Sequence, residues 1–381
     1  MCLTFIISQE SWIYSSLLAV ALGMYVVLMM PIVWRTFKEK HPNRWSNLAL
    51  VLVLVTIAIL YILPDSAWGH YAYYPVSYWA IVFMSAWGLI TLIGYILLKP
   101  SSERESNACL QKGLECVDKY HIDVLNFGYS GEVRRKVLHL MALITLFAFS
   151  IGHMVFWLIN NFSYVSMQAM VSPENYYGVA YLYTQPPYIQ GAIILNLGLF
   201  GAFCVQANCE ILRLRYSKVN FAFKRTMQKT RRASEARSFG AHISLLPTFL
   251  LGGMILTYSP DHIIEGVWAT YAVITVSTLA DLMAALIGRR YGKHKWHIFE
   301  GKSIEGSLAG SITAFFAAVF FVGPILAGVA VVVFNFTDLG LAKVRISDNL
   351  TTPLLLAIAF RLLIFLYIPV VNQFFYIPEW M

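Results

Sequence analysis

Residues 304–341 read IEGSLAGSITAFFAAVFFVGPILAGVAVVVFNFTDLGL, and this stretch decides the class of fold. It is much longer than the ~20 apolar residues with which a helix crosses the ~30 Å of hydrocarbon in a bilayer. Gly323-Pro324 is the one Gly-Pro pair within it, and proline interrupts a helix because it lacks a backbone donor and clashes with the preceding turn. The sequence therefore predicts two membrane spans, 304–322 and 324–341.

Apolar runs recur along the rest of the chain. Hydrophobic residues make up 58% of the 381 residues and charged residues 13%, whereas a soluble domain carries roughly 25% charged residues. We predict an all-α polytopic membrane protein with about ten transmembrane helices. The predicted spans are 11–34, 46–63, 76–98, 137–159, 188–211, 241–258, 264–288, 304–322, 324–341 and 351–371.

The positions of the basic residues test this division. Of the 28 Lys and Arg residues, 27 fall in alternate loops between the predicted spans, and the opposite loops, 64–75, 160–187 and 259–263, contain none. The positive-inside rule places the basic loops in the cytoplasm and both termini outside. The net charge of +8 then follows from topology, and no nucleic-acid partner is expected. The expected location is the cytoplasmic membrane of a bacterium or archaeon, or the endoplasmic reticulum membrane of a eukaryote.

The polar residues divide the chain into three parts. Residues 1–100 are predicted to form an N-terminal three-helix membrane extension, and residues 101–132 a cytoplasmic linker with a surface helix. Residues 133–381 are predicted to form a seven-helix core, which contains nearly every unusual polar residue. Function is therefore expected in the core.

The stretch FEGKSIEGS, residues 299–307, ends a basic loop and contains Gly301-Lys302-Ser303. It is not a Walker P-loop, because position 296 is Trp where that motif needs glycine, and an apolar helix stands where it needs a strand. Ser303 is a good N-cap, so free backbone N–H groups and a positive helix end are expected beside Lys302. Those groups suit a phosphate.

Asp281 lies within the preceding predicted span. Because a charged aspartate at the bilayer centre costs about 2.5–3.5 kcal/mol on insertion scales, we expect it to face the protein interior or a water-filled cavity. Asp281, Ala285 and Gly288 share one helix face, which predicts a groove rather than a packed seam. Replacing Asp281 by asparagine is expected to leave folding unharmed. The cations expected at the mouth of the groove are Arg289, Arg290, Lys293 and Lys295.

Three further polar sets are predicted on the same side of the membrane. Each lies at the cytoplasmic end of a predicted span, and their convergence favours one shared site. The sets are Glu132, Arg135, Lys136 and His139; Glu210 and Arg213; and Asp348 and Asn349.

Several of these motifs, taken in order, resemble the polyprenol kinase family, which includes dolichol kinases, phytol kinases and CTP-dependent diacylglycerol kinases. The resemblance covers roughly residues 130–375, and the first three predicted spans lie outside it. The family often has paired acids at the position where this chain has Ser347-Asp348. It also often has an acidic residue in the preceding helix, where this chain has only Asp338. The motifs are ExxRKxxH at 132–139, ExLR at 210–213, DxxAAxxGRRYGKHKW at 281–296, KSIEGSLAG at 302–310 and DNLTTPL at 348–354.

The resemblance implies transfer of the γ-phosphate of CTP, or of another nucleoside triphosphate, to a lipid alcohol such as dolichol, polyprenol or phytol. The reaction would take place at the cytoplasmic face with Mg²⁺, for which Asp281 is the expected ligand. The expected catalytic residues are Asp281, Lys302, Glu305, Arg135, Lys136 and His139. The expected nucleotide-binding residues are Gly288, Arg289, Arg290, Gly292, Lys293, Ser303, Gly306 and Ser307. Further candidates are Glu132, Glu210, Arg213, Asp348 and Asn349.

Two other functions fit part of the sequence. A cytidylyltransferase, which is similar in fold and nucleotide, would form a CDP-lipid by attack at the α-phosphate. A transporter would need polar residues near the middle of the membrane, and Arg361, inside the last predicted span, is the residue that favours this alternative. The remaining polar residues gather at one membrane face, which favours an enzyme that works at the surface.

Overall fold

A computed structural model describes most of the helical core and the first two helices of the chain. The described residues are 2–62, 187–215, 238–257, 263–297, 301–341 and 346–366, together with Leu89, Ile93, Val133 and Lys136.

The described ranges form seven α-helices, and a short π-helical turn, Phe336–Gly340, follows the sixth. Within these described ranges, five helical segments are long and apolar enough to cross a membrane by length and composition. Their outward surfaces carry large apolar side chains, such as Val20, Trp34 and Phe316, which is compatible with a lipid surrounding. The helices are α1 (Cys2–Lys38), α2 (Arg44–Ile62), α3 (Pro187–Arg215), α4 (Ala241–Leu256), α5 (Ile263–Arg290), α6 (Ile304–Asn335) and α7 (Asp348–Phe365).

These helices coincide with eight of the predicted spans, although α1 begins earlier and α7 ends earlier than the sequence indicated. Apart from Leu89 and Ile93, the predicted spans 76–98 and 137–159 and the predicted surface helix within 101–132 lie outside the described residues. The count of ten spans and the position of the termini therefore stay predictions.

Helix α6 confirms the predicted break at Gly323-Pro324, because it is a hairpin of two arms, 304–322 and 324–335. Gly323 has φ 77° and ψ 174°, a conformation that costs glycine little and other residues much. The Asn335 amide nitrogen donates to the Ser311 hydroxyl over 2.7 Å, whereas a straight helix would separate these residues by roughly 36 Å. The chain therefore reverses at Gly323, and the two arms lie side by side.

The ends of the helices meet at one end of the bundle, which we call the basic end and define by Arg35, Arg44, Arg289 and Lys302. The Arg35 guanidinium donates to the Leu214 carbonyl at the end of α3 over 3.4 Å. This links the end of α1 to the end of α3. The arrangement is the one expected when the basic loops share one side.

The starts of α2, α4 and α7 lie at the same end. The Asn43 amide donates to the Ser238 hydroxyl over 2.8 Å, and the Ser347 N–H donates to the Ser46 hydroxyl over 3.0 Å. The segment between α1 and α2 and the start of α2 therefore contact the segments that precede α4 and α7. These contacts dock the N-terminal helices directly onto the core.

Candidate functional site

Helices α5 and α6 make close contact at the basic end through small residues. A methyl group placed on Gly306 would lie 2.8 Å from both the Ala284 carbonyl oxygen and the Gly288 Cα atom. Gly306 and Gly310 are four residues apart on α6, as Ala284 and Gly288 are on α5. Small residues at this spacing let two helix backbones approach closely.

This contact corrects the groove that the sequence predicted at Gly288. The Gly288 backbone packs on Gly306, and a methyl group on Gly292 would overlap Ser303 and the Gly288 carbonyl. These three glycines are therefore needed for packing between protein segments. They do not line an open channel for a nucleotide.

Ser303 is the N-cap of α6, as predicted, and its hydroxyl accepts from the Gly306 N–H over 3.1 Å. The prediction of free N–H groups at this helix end is wrong. The Ile304 N–H donates to the His294 carbonyl over 2.9 Å, and the Ser307 N–H donates to the Ser303 carbonyl over 3.0 Å. The loop after α5 folds back onto the start of α6, and its His294 carbonyl occupies one of the amides that a phosphate would need.

The same loop is held by Glu305. Its carboxylate accepts from the Lys293 and His294 N–H groups over 3.2 and 3.0 Å, and the His294 ring lies 2.7 Å from it. Lys295 pairs with Ser303 in an isolated antiparallel bridge. Glu305, one of the expected catalytic residues, therefore has its oxygens directed at the loop.

Ser307 and Asn349 also have partners within the protein. The Ser307 hydroxyl donates to the Ser303 carbonyl over 3.1 Å and accepts from the Trp296 indole N–H over 3.1 Å. Asn349 is buried, and its carbonyl accepts from the Thr248 hydroxyl over 3.2 Å. Both side chains contribute to the packing around the site.

Lys302 contacts one carboxylate and lies within electrostatic range of two more. Its ammonium group forms an ion pair with Asp338 in the π-helical turn, and Asp348 and Asp281 are close enough to act on its charge. Burial by itself lowers the pKa of Lys302, but the negative charges of Asp338, Asp348 and Asp281 outweigh it and raise the pKa. Lys302 therefore carries its charge throughout the physiological range.

Lys136 forms a second ion pair, with Asp281 of α5. The Lys136 side chain is 2% exposed and that of Asp281 is 17% exposed, so the two groups stabilise each other within a largely apolar surrounding. This pair brings the helical turn at Lys136 next to α5. It confirms that Asp281 faces the protein interior.

The two ion pairs and Asp348 form what we call the charge cluster, which consists of Lys136, Asp281, Lys302, Asp338 and Asp348. Three of its members are acids and two are lysines. It joins α5, the segment just before α6, the π-helical turn after α6, the start of α7 and the residue Lys136. Most of its side-chain surface is removed from water: Asp338 is 7% exposed and Lys302 35%.

The sequence interpretation did not place Asp338 in the site, although a signal for it was present. Asp338 is the one acid between Gly306 and Asp348 in an apolar stretch, and a charged residue within a membrane segment marks a functional position by default. The π-helical turn Phe336–Gly340 is a second signal, since single π-turns are frequent at functional sites.

Glu210 lies in α3, away from the contacts of the charge cluster that are described above. It is buried, and its carboxylate accepts from the Gly240 N–H over 3.1 Å at the start of α4. A carboxylate at the N-terminus of a helix is favoured by the helix dipole. Glu210 therefore stabilises the junction of α3 and α4.

The remaining predicted residues divide into two groups. The cations after α5 lie at the surface of the basic end: Arg290, Lys293 and Lys295 are exposed, Arg289 is half-buried, and the Arg290 guanidinium lies 5.2 Å from the centre of the Tyr291 ring. The other group has no described side chain. It consists of Glu132, Arg135, His139 and Arg213.

Comparisons of this chain with protein-family models, with curated proteins and with solved structures gave no match.

Proposed function

We propose that this protein is a lipid kinase that transfers the γ-phosphate of CTP, or of another nucleoside triphosphate, to an isoprenoid alcohol such as dolichol, polyprenol or phytol. The observation that carries the proposal is the charge cluster at one end of an apolar helix bundle. A reaction between a charged nucleotide and an apolar lipid needs such a boundary. The motif resemblance to polyprenol kinases supports the same choice.

The lysines of the charge cluster suit a phosphate because each is already charged and held in place. A triphosphate supplies strong acceptor oxygens, and lysine binds phosphate as a point charge. Lys302 is partly exposed and has Arg289 and Lys293 on the same surface, so it is the lysine that a nucleotide reaches first. Phosphoryl transfer depends mainly on positioning and charge stabilisation, which these cations supply.

The acids of the charge cluster suit a magnesium ion shared with the nucleotide. Among the described residues no group of three or more His, Cys, Asp or Glu is placed to hold a metal. Mg²⁺ is usually bound by one or two carboxylates together with substrate phosphates, and Asp281, Asp338 and Asp348 offer those carboxylates. When bound, Mg²⁺ would neutralise part of the phosphate charge.

In the proposed reaction the alcohol oxygen forms a bond to the γ-phosphorus. The bond from that phosphorus to the bridging oxygen breaks, and CDP leaves with the electron pair. The alcohol proton passes to a carboxylate of the charge cluster. We assign this role to Asp281, because it lies on a membrane-spanning helix where the lipid hydroxyl arrives. Glu305 instead positions the loop after α5.

The proposed orientation places the basic end in the cytoplasm of a multi-pass membrane protein, with both termini outside. The triphosphate then approaches from the cytoplasm, and the lipid tail stays among the apolar helices. The positive-inside distribution of Lys and Arg supports this orientation.

The test compares two labels. Purified protein in detergent is incubated with Mg²⁺, an isoprenoid alcohol and CTP that carries the label on either the γ- or the α-phosphate. We expect label from the γ-position in the lipid phase, with release of CDP. Label from the α-position, with release of pyrophosphate, would identify a cytidylyltransferase instead.

A transporter is the third outcome of the same preparation. Arg361 has a buried guanidinium nitrogen without a hydrogen-bond partner among the described residues, a feature that also occurs along substrate paths in membranes. Absence of any labelled lipid, together with solute uptake into proteoliposomes, would reject the kinase and favour transport.

A further inference from the structure

Ser277 lies on α5 four residues before Asp281, and neither the sequence motifs nor the ion pairs involve it. Its side chain is 5% exposed, and its hydroxyl has no hydrogen-bond partner among the described residues. A buried hydroxyl without a partner is unfavourable, because the loss of its hydrogen bonds to water is not compensated.

The other hydroxyl side chains of α5 show that this is not the ordinary state of the helix. Thr270 donates to the Gly266 carbonyl over 2.8 Å. Thr275 and Thr278 donate to the carbonyls four residues earlier, both over 2.6 Å. Among the Ser and Thr residues of α5, Ser277 alone leaves the carbonyl four residues earlier unused, so the hydrogen-bonding capacity of its hydroxyl is not used within the described residues.

Ser277 and Asp281 are neighbours on one face of α5. Side chains four residues apart on a helix are neighbours, with Cβ atoms about 5–6 Å apart. The Ser277 and Asp281 side chains can therefore contact the same hydroxyl group. Asp281 keeps acceptor capacity for it beside the bond from Lys136, because a carboxylate has about four lone-pair sites.

The direction of α5 decides which substrate reaches this position. The helix ends at the basic end with Arg289 and Arg290, and Ser277 lies roughly 18 Å along the axis from Arg289, on the far side of Asp281. A nucleotide approaches from the basic end. The hydroxyl of a lipid approaches from the apolar side, where Ser277 lies.

We propose that Ser277 contacts the acceptor substrate: it donates a hydrogen bond to the hydroxyl oxygen of the lipid alcohol, while that hydroxyl donates to Asp281. This inference rests on the proposed kinase function. It names the residue that distinguishes an alcohol from the same lipid without its hydroxyl. Ser277 thereby aims the oxygen lone pair that attacks the phosphorus.

The test uses Ser277→Ala with Thr278→Ala as its matched control, since the Thr278 hydroxyl bonds its own helix. The probes are farnesol and the hydrocarbon farnesene, each added to purified protein without nucleotide, and the melting temperature is measured. In the wild type farnesol should raise the melting temperature more than farnesene. Ser277→Ala should remove this difference, and Thr278→Ala should keep it.

Kinetics supply the second readout. Ser277→Ala should raise the KM for farnesol by roughly three- to tenfold, the value of one hydrogen bond, with the KM for CTP unchanged. The inference would be overturned if Ser277→Ala kept both the wild-type difference between farnesol and farnesene and the wild-type KM for farnesol. It would also be overturned if Ser277→Ala lowered the melting temperature of the protein alone and changed neither of these two readouts. A wild type that transfers no phosphate would refute the kinase, and the binding comparison would still decide the role of Ser277.

Discussion

Asp281 and Lys136 depend on each other for their charge. Because the Lys136 side chain is 2% exposed, its ammonium group has little contact with water and relies on the carboxylate. This corrects the expectation, drawn from the sequence alone, that Asp281→Asn leaves folding unharmed. Removal of one partner from a buried ion pair is strongly destabilising, since the other charge stays buried without compensation.

We predict that Asp281→Asn lowers the free energy of unfolding by roughly 3–5 kcal/mol and abolishes phosphate transfer. The double variant Lys136→Met with Asp281→Asn removes both charges and should recover most of the stability without recovering activity. Thermal unfolding and turnover are measured on the same purified samples. Near-normal turnover in a stable Asp281→Asn protein would contradict the assigned role of Asp281.

Asp338 and Lys302 give a prediction in terms of pH. The pKa of Lys302 is raised in the folded protein, so its ion pairs stabilise the fold at pH values below the pKa of an unfolded lysine, and this stabilisation is lost as the pH rises through the folded pKa. Asp338→Asn removes a charge that favours the ammonium form. The alkaline limb of the pH–activity profile should therefore move to lower pH.

The control for this shift is Glu265→Gln, which removes an acid in the first turn of α5, far from the charge cluster. Its alkaline limb should coincide with that of the wild type. If Asp338→Asn also left the limb in place, then Lys302 would not be the group whose deprotonation ends activity. The measurement is initial rate against pH at saturating substrates.

At the scale of the elements, the contact between α5 and α6 leaves little space for side chains larger than hydrogen at its glycines. A methyl group on Gly310 would lie 2.5 Å from the Phe334 ring and 2.9 Å from the Ala284 side chain. Gly310 is thus where the first arm of α6 meets both the second arm and α5. The charge cluster depends on this junction, because Lys302 lies just before the first arm and Asp338 just after the second.

We predict that Gly310→Ala destabilises the protein by about 1–3 kcal/mol, the usual effect of an added methyl group in a packed core. Gly328→Ala is the matched control within the same helix, since nothing lies within 4 Å of a methyl group there. It should be neutral or stabilise by up to about 1 kcal/mol. Equal melting temperatures for the two variants would show that this contact is looser than described.

These elements also show what a sequence can predict. The reversal at Gly323-Pro324 and the N-cap at Ser303 were predicted because local backbone chemistry determines them. The bond from the Ile304 N–H to the His294 carbonyl was not predicted, because its acceptor comes from the loop after α5 and no local signal in the sequence indicates that contact. Gly288 illustrates the same limit: small residues are expected in a groove and in a tight seam alike.

At the scale of the whole molecule, the charge cluster required contacts between segments that are distant in the chain. Lys136 and Asp281 are separated by 145 residues, and Lys302 and Asp338 by 36. Hydropathy predicted that these charges lie near one end of the bundle but not which acid pairs with which lysine. The Ser46–Ser347 bond likewise shows that the N-terminal helices support the segment before Asp348, although they lie outside the family resemblance.

The last prediction concerns the side of the membrane at which the basic end lies. Cysteines that replace Lys40 and Lys295, in a background without the native cysteines, should react with a membrane-impermeant reagent from one and the same side, and a cysteine at Ser172 should react from the other. Inside-out vesicles should then phosphorylate an isoprenoid alcohol when CTP is added outside, because the site and the basic end face the same solution. Sealed right-side-out vesicles serve as the control and should be inactive until they are permeabilised. Activity in intact right-side-out vesicles would place the nucleotide at the wrong end of the bundle and would separate the charge cluster from catalysis. If Lys40 and Lys295 reacted from opposite sides, the helix orientation itself would be wrong, since both positions adjoin the basic end through short loops.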